Sequence, residues 1–221
     1  MFSRVLIPLD GSKLAELALP YAEELAGAFN SEVTLVEVCE QSESQYRHMQ
    51  QLYIEKVAEL VRRHIKEVGP TVKVKPVILD GKPAAGIIDY AEKSDISLII
   101  MATHGRSGIM VWATGSVANK VLHETRMPIL LIRAKAPALK EGERELFSKI
   151  LVPLDGSAKG ETILTHVTGL TKELKSEVTL FQTIDLGKHV HTIGGLDYVR
   201  FAGQHIESMK ASAQKYLKEV R

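Results

Sequence analysis

Residues 99–121, IIMATHGRSGIMVWATGSVANKV, pass from an apolar run through glycines into a helical pattern. A buried parallel strand that ends in glycines and leads into a helix is a common anion site, because the first amides of a helix have no intrahelical acceptor. The residues that offer donors or permit close backbone approach are Gly105, Arg106, Gly108, Gly115 and Ser116. The stretch predicts a phosphate site, and a simple turn of the chain is the alternative.

A second polar turn, Asp10-Gly11-Ser12, follows the first apolar run of the chain. In open α/β sheets, ligands bind beyond the carboxyl ends of the strands, at the point where the strand order reverses. If the first and fourth strands are neighbours, Asp10 faces the glycine loop and can accept a hydrogen bond from a ribose hydroxyl or an adenine amine. The alternative is that the turn only caps a helix.

Apolar residues in the first 134 positions alternate between strand and helix spacing. The predicted strands are residues 5–9, 33–38, 72–78, 96–102 and 129–132, and the predicted helices are residues 14–25, 43–68, 84–92 and 116–124. Strands that alternate with helices and are rich in Val, Ile and Leu favour a parallel sheet covered on both faces. We predict an α/β fold with an open five-stranded parallel sheet.

The first part of this pattern occurs twice. The segment SRVLIPLDGS at 3–12 returns as SKILVPLDGS at 148–157, and SEVTL at 31–35 returns at 176–180. We predict a first domain at 1–134, a linker at 135–147 and a partial second domain at 148–221, which repeats only the first four elements.

Composition excludes several classes of protein. The 28 Lys and Arg residues nearly balance the 27 Asp and Glu residues, for a formal net charge of +1, unlike strongly basic nucleic-acid-binding proteins. No apolar run approaches the roughly 20 residues of a membrane-spanning helix, and the first residues lead into a strand rather than a signal peptide. The single cysteine, Cys39, excludes an intrachain disulfide and is expected in the core. We expect a cytoplasmic protein with neither a nucleic-acid nor a membrane partner.

These motifs resemble those of the universal stress protein family in its tandem form. The family's opening signature corresponds to IPLDGS at 7–12. Its nucleotide motif is a glycine, two residues, a second glycine, nine residues, and a third glycine followed by Ser or Thr. It corresponds to Ala102, Gly105 and Gly115-Ser116, with alanine in place of the first glycine. The extra methyl group of Ala102 hinders close approach only slightly, provided that its φ angle is negative.

The resemblance implies a strand order of 3-2-1-4-5 and a site for ATP or AMP, with or without Mg²⁺. The residues implied on the adenine and ribose side are Pro8, Leu9, Asp10, Val38 and Met101. The residues implied on the phosphate side are Ala102, His104, Gly105, Arg106, Gly108, Gly115, Ser116 and Val117. In the partial second domain only Pro153 and Asp155 have counterparts, so that domain is not expected to bind nucleotide.

The function implied is that of a stress-response or signalling protein that binds nucleotide and acts through contacts with a second copy or another protein. The last strand, residues 129–132, is expected to pair two chains. Because no general base or magnesium ligand is evident near the phosphates, we do not expect an enzyme. The alternatives are a nucleotide-free scaffold of the same fold and a slow ATPase.

Three further features have simpler interpretations. His189 and His191 have the spacing of a shared metal site, but no cysteine or acidic cluster completes it, so a solvated loop is favoured. The apolar triplet at 110–112 is expected to pack over the cleft rather than to form a contact surface. The charged residues of the long helix, including Glu55, Glu59, Arg62 and Lys66, are expected to form a solvated face.

Overall fold

A parallel sheet of five strands, in the order β3-β2-β1-β4-β5, forms the centre of the first unit of the computed structural model. The strands are β1 (Arg4–Leu9), β2 (Glu32–Cys39), β3 (Val74–Asp80), β4 (Leu98–Ala102) and β5 (Ile129–Ile132). Every neighbouring pair is parallel. The predicted fold and strand order are confirmed, and the order reverses between β1 and β4.

The structure describes residues 1–68, 72–103, 115–133, 146–184 and 196–220. The chain divides into two units, Met1–Leu146 and Phe147–Arg221, and each is described by itself. Most of the predicted linker, at residues 135–145, lies outside the described residues.

The helices of the first unit are α1 (Lys13–Glu16), α2 (Leu19–Phe29), α3 (Arg47–Val68), α4 (Pro83–Lys93) and α5 (Ser116–Glu124). The prediction of a single helix at 14–25 is wrong, because the helix is interrupted at residues 17–18 and two helices form instead. Pro20, in the first turn of α2, has no N–H with which to continue a helix from the preceding turn. The long predicted helix begins later than expected, because residues Gln41–Tyr46 form a 3-10 turn.

The core of the first unit lies on both faces of the sheet. Leu6 and Val36, on adjacent strands, are fully buried against Ile87 of α4 and Val121 of α5. On the opposite face, Leu35 of β2 and Ile54 of α3 are also fully buried. Cys39 at the end of β2 is also buried, in line with a core residue.

The second unit contains a two-stranded parallel sheet. Its elements are β6 (Lys149–Leu154), α6 (Ala158–Glu161), α7 (Ile163–Leu174), β7 (Glu177–Gln182) and α8 (Leu196–Glu219). Val152, Leu154 and Val167 form its small core. In both units Ser caps the first short helix, since Ser12 accepts from the Ala15 amide and Ser157 from the Gly160 amide.

None of the helices that the structure describes is long and apolar enough to cross a membrane.

Candidate functional site

A cavity of about 340 Å³ lies at the carboxyl ends of β1 and β4, where the strand order reverses. Nine of the thirteen residues predicted for a nucleotide site line it. They are Pro8, Leu9, Asp10, Val38, Met101, Ala102, Gly115, Ser116 and Val117. Residues about 100 positions apart in the chain, such as Asp10 and Ser116, thus meet in one cavity because their parallel strands end at the same edge of the sheet.

The remaining predicted residues lie outside the part of the chain that the structure describes. They are His104, Gly105, Arg106 and Gly108. The apolar triplet at 110–112 and the histidine pair, His189 and His191, lie outside it as well. The predictions made for these residues remain predictions.

Ala102, which replaces the first glycine of the motif, occupies a regular strand position. It pairs with Ile132 of β5 and is 7% exposed. The described residues other than glycine with positive φ are Asn30, Asp95 and Lys175. The backbone at Ala102 therefore has angles that any residue adopts, and the position does not require glycine.

The start of α5 lies at the cavity. The Gly115 amide donates to the Thr103 carbonyl at 2.7 Å, and the Gly115 carbonyl accepts from the Asn119 amide at 2.8 Å. No side chain of the capping residue occupies this helix end, since that residue is Gly115 itself. Ser116, Val117 and Ala118 line the cavity. Because first-turn amides lack intrahelical acceptors, this end of the cavity suits an anion.

Asp10 serves the turn and lines the cavity at once. Its Oδ1 accepts a hydrogen bond from the Ser12 amide at 3.0 Å, while the Ser12 hydroxyl accepts from the Ala15 amide at 3.1 Å. Gly11 between them has a φ of 77°, which favours glycine. The two interpretations of this turn, as a cap and as part of a site, are therefore compatible.

Sequence reasoning missed an acidic wall on the β2 side of the cavity. Three glutamates line the cavity: Glu37 near the end of β2, and Glu40 and Glu43, which follow that strand. Glu37 is 2% exposed and pairs in register with Leu9. A glutamate inside the apolar run VTLVEVC was the one available signal.

Tyr53 of α3 is half-buried, and its pKa is affected by carboxylates that include Glu37 of the acidic wall. The Tyr53 hydroxyl of α3 donates to Glu16 Oε1 at 3.0 Å. Burial is the main cause that raises the pKa of Tyr53 above its ordinary value, and the charge of Glu16 acts in the same direction. Glu37 and Asp10 contribute smaller effects of the same sign. Tyr53 is therefore a neutral hydrogen-bond donor at physiological pH.

No group of three His, Cys, Asp or Glu residues that could hold a metal ion occurs in the described ranges. The carboxylates of the acidic wall therefore do not form a metal cage by themselves. The participation of Mg²⁺ remains a prediction.

Comparisons with known proteins identify the family. Residues 1–133 match the model of the universal stress protein family. A universal stress protein of Methanocaldococcus jannaschii is 29% identical over 142 residues, which are 60% of this chain and 83% of the relative. A second one from that organism is 25% identical over 159 residues, 61% of this chain and 97% of the relative.

Solved structures agree with the sequence relatives. The chain is similar to the solved structure of a hypothetical protein that served as a test case for assigning biochemical function from structure. The identity is 27% and the TM-score 0.52, and the match covers 62% of this chain and 99% of the other. A universal stress protein of Archaeoglobus fulgidus matches over 95% of this chain and 75% of its own, with a TM-score of 0.66 and 21% identity, which shows the fold alone. The chain belongs to the universal stress protein family.

Proposed function

We propose that the first unit binds an adenine nucleotide, ATP or AMP, in the cavity at the ends of β1 and β4. The observation that carries the proposal is the polarity of the cavity. The amides of the first turn of α5 lie on its β4 side, and carboxylates lie on its β2 side. A nucleotide has the complementary polarity, with a phosphate that accepts hydrogen bonds at one end and hydrogen-bond donors at the other.

The described residues suit each part of such a ligand. Pro8, Val38 and Met101 offer apolar contact for a base, and Asp10 offers an acceptor for a ribose hydroxyl. The amides that begin α5 suit the phosphate. A volume of about 340 Å³ falls near the lower end of the range for small-ligand pockets, roughly 300 to 1,000 Å³.

Our proposal is a role in stress response or signalling in which the occupied site acts through protein contacts rather than catalysis. The ionisable residues that line the described part of the cavity are all acidic, which would repel rather than stabilise the charge of phosphoryl transfer. We propose that the contacts involve a second copy of the chain. β5 is the last strand of the sheet order, and an edge strand presents backbone groups for pairing.

A charge placed at the first turn of α5 tests the site. Ser116 is exposed and begins the helix, so Ser116→Glu leaves the core intact. The added negative charge is also favourable for the helix, because it lies at the positive end of the helix dipole. Its carboxylate would occupy and repel the phosphate position, and we expect loss of AMP and ATP binding by at least about tenfold in isothermal titration calorimetry.

The matched control is Ala158→Glu, which adds the same charge at the exposed first turn of α6 in the second unit. We expect this variant to bind as tightly as the unmodified chain. Equal affinities of all three proteins would place the nucleotide elsewhere. Absence of binding to the unmodified chain would refute the proposed function and favour the nucleotide-free scaffold.

A further inference from the structure

Glu43, on the acidic wall, is held in place by hydrogen bonds on both its backbone and its side chain. Its amide donates to the Glu40 carbonyl at 2.8 Å within the 3-10 turn that follows β2. Its Oε2 accepts from Gln50 Nε2 of α3 at 3.3 Å. The residue is half-buried and lines the cavity. Glu43 is thus a carboxylate whose position is set before any ligand arrives.

Gln50, which donates this hydrogen bond to Glu43, is a buried polar residue, with only 6% of its surface exposed. Its Oε1 is buried and has no hydrogen-bond partner among the described residues. A buried amide with an unsatisfied carbonyl is less favourable than an apolar side chain of the same size. Core packing therefore does not account for a glutamine here, whereas the hydrogen bond to Glu43 does.

The position of Glu43 decides which part of a ligand it can contact. β1 lies between β2 and β4, so the 3-10 turn after β2 and the start of α5 after β4 flank the cavity from opposite sides. An anion bound at the α5 amides places its uncharged end toward Glu43. A carboxylate accepts hydrogen bonds from amino and hydroxyl groups and disfavours carbonyl oxygens.

We propose that Glu43, positioned by Gln50, is a specificity-determining residue that selects ligands with a hydrogen-bond donor at the end remote from the phosphate. The donor is an exocyclic amine of the base or a hydroxyl of the ribose. This inference rests on the proposed nucleotide site. It adds a carboxylate, Glu43, that selects the nucleoside part by hydrogen bonding, beside the apolar contact offered by Val38.

The test compares ratios of affinities rather than affinities alone. AMP is compared with purine riboside 5′-monophosphate, in which a hydrogen atom replaces the amine, and with 2′-deoxy-AMP and 3′-deoxy-AMP, which each lack one hydroxyl. We expect the unmodified chain to prefer AMP by at least about tenfold over one of these analogues, as for a hydrogen bond to a charged group. Glu43→Gln should reduce that preference toward unity, because an amide donates as well as accepts.

The matched control is Glu55→Gln. Glu55 is also a glutamate bonded by a glutamine, Gln51, but it is exposed on α3 and does not line the cavity. Its ratios should equal those of the unmodified chain. Gln50→Leu keeps the buried volume and removes the donor, so it should reduce the preference while leaving the thermal unfolding temperature similar or higher.

The outcomes separate the two proposals. A loss of the preference over purine riboside 5′-monophosphate in Glu43→Gln identifies the amine as the donor, and a loss of the preference over a deoxy analogue identifies the ribose hydroxyl. Either result supports the role of Glu43 in selecting the ligand. Unchanged ratios in Glu43→Gln, with AMP still bound, refute this role and leave the proposed function intact. Absence of AMP binding to the unmodified chain refutes both. Unchanged ratios in Gln50→Leu alone refute the positioning role of Gln50.

Discussion

The turn after β1 and the turn after β6 have the same local structure and different surroundings. Gly11 and Gly156 have φ angles of 77° and 80°, and Ser12 and Ser157 cap the short helices that follow. The strand registers also correspond, from Arg4↔Glu32 in one sheet to Lys149↔Glu177 in the other. Local sequence therefore determines this turn, whatever lies beside it.

The surroundings decide what the turn can do. β1 lies between β2 and β4, and Asp10 at its end lines a cavity. β6 pairs only with β7 among the described strands, and the exposed Asp155 accepts from both the amide and the hydroxyl of Ser157, at 2.9 and 2.7 Å. A binding site in this fold thus depends on the neighbouring strand and helix as much as on the signature itself.

The largest expected difference between the two units concerns one leucine in each first strand. Leu6 is 0% exposed under α4 and α5, whereas the corresponding Leu151 of β6 is 62% exposed. Leu6→Ala should lower the free energy of unfolding by about 2 to 5 kcal/mol, because it removes buried contacts and leaves a cavity. Leu151→Ala should change it by about 0.5 kcal/mol or less. Urea unfolding followed by circular dichroism measures both, and comparable losses would show that the Leu151 face is covered in solution.

The parts of the fold with a strong repeating pattern were predictable from sequence. The apolar runs of β1 and β2 and the helix Ser116–Glu124 have the expected positions, because alternation and helical spacing are local signals. The break before Pro20 was missed because apolar spacing continues through it. The acidic wall was missed because Glu40 and Glu43 reach the cavity only through the 3-10 turn and the sheet order.

A smaller and nearly equal effect is expected from the two capping serines. Ser12→Ala and Ser157→Ala each remove a hydroxyl that accepts a hydrogen bond from an amide, that of Ala15 at 3.1 Å and that of Gly160 at 2.9 Å. Ser157→Ala also removes the exposed bond that this hydroxyl donates to Asp155. Each change should cost about 1 kcal/mol of unfolding free energy. Thermal unfolding of the two variants, with Thr168→Ala on the exposed surface of α7 as a control, measures this. A much larger loss for Ser12→Ala would show that this turn, unlike its counterpart, depends on the cavity around it.

The smallest expected effect concerns one position at which the two turns differ. Gly160 stands where the first turn has Ala15, and a Cβ atom at Gly160 would lie 2.5 Å from Asp155 Oδ1. The hydrogen bonds from the Ser157 hydroxyl and amide hold the pKa of Asp155 below its ordinary value. Gly160→Ala should therefore turn this carboxylate away from the Ser157 hydroxyl and raise its pKa toward that ordinary value, while the bond from the Ser157 amide remains, as the bond from the Ser12 amide to Asp10 does beside Ala15.

An NMR titration of Asp155 measures this shift, with Lys159→Ala as an exposed control in the same helix. The lowered pKa stabilises the folded unit above the ordinary pKa of 3.8, and this contribution is lost as the pH falls through the folded value, so Gly160→Ala should also weaken the acid dependence of stability. If the pKa of Asp155 does not change, the glycine is not what allows Asp155 to accept the hydrogen bond from the Ser157 hydroxyl. The different roles of Asp10 and Asp155 would then come from the strands beside them alone.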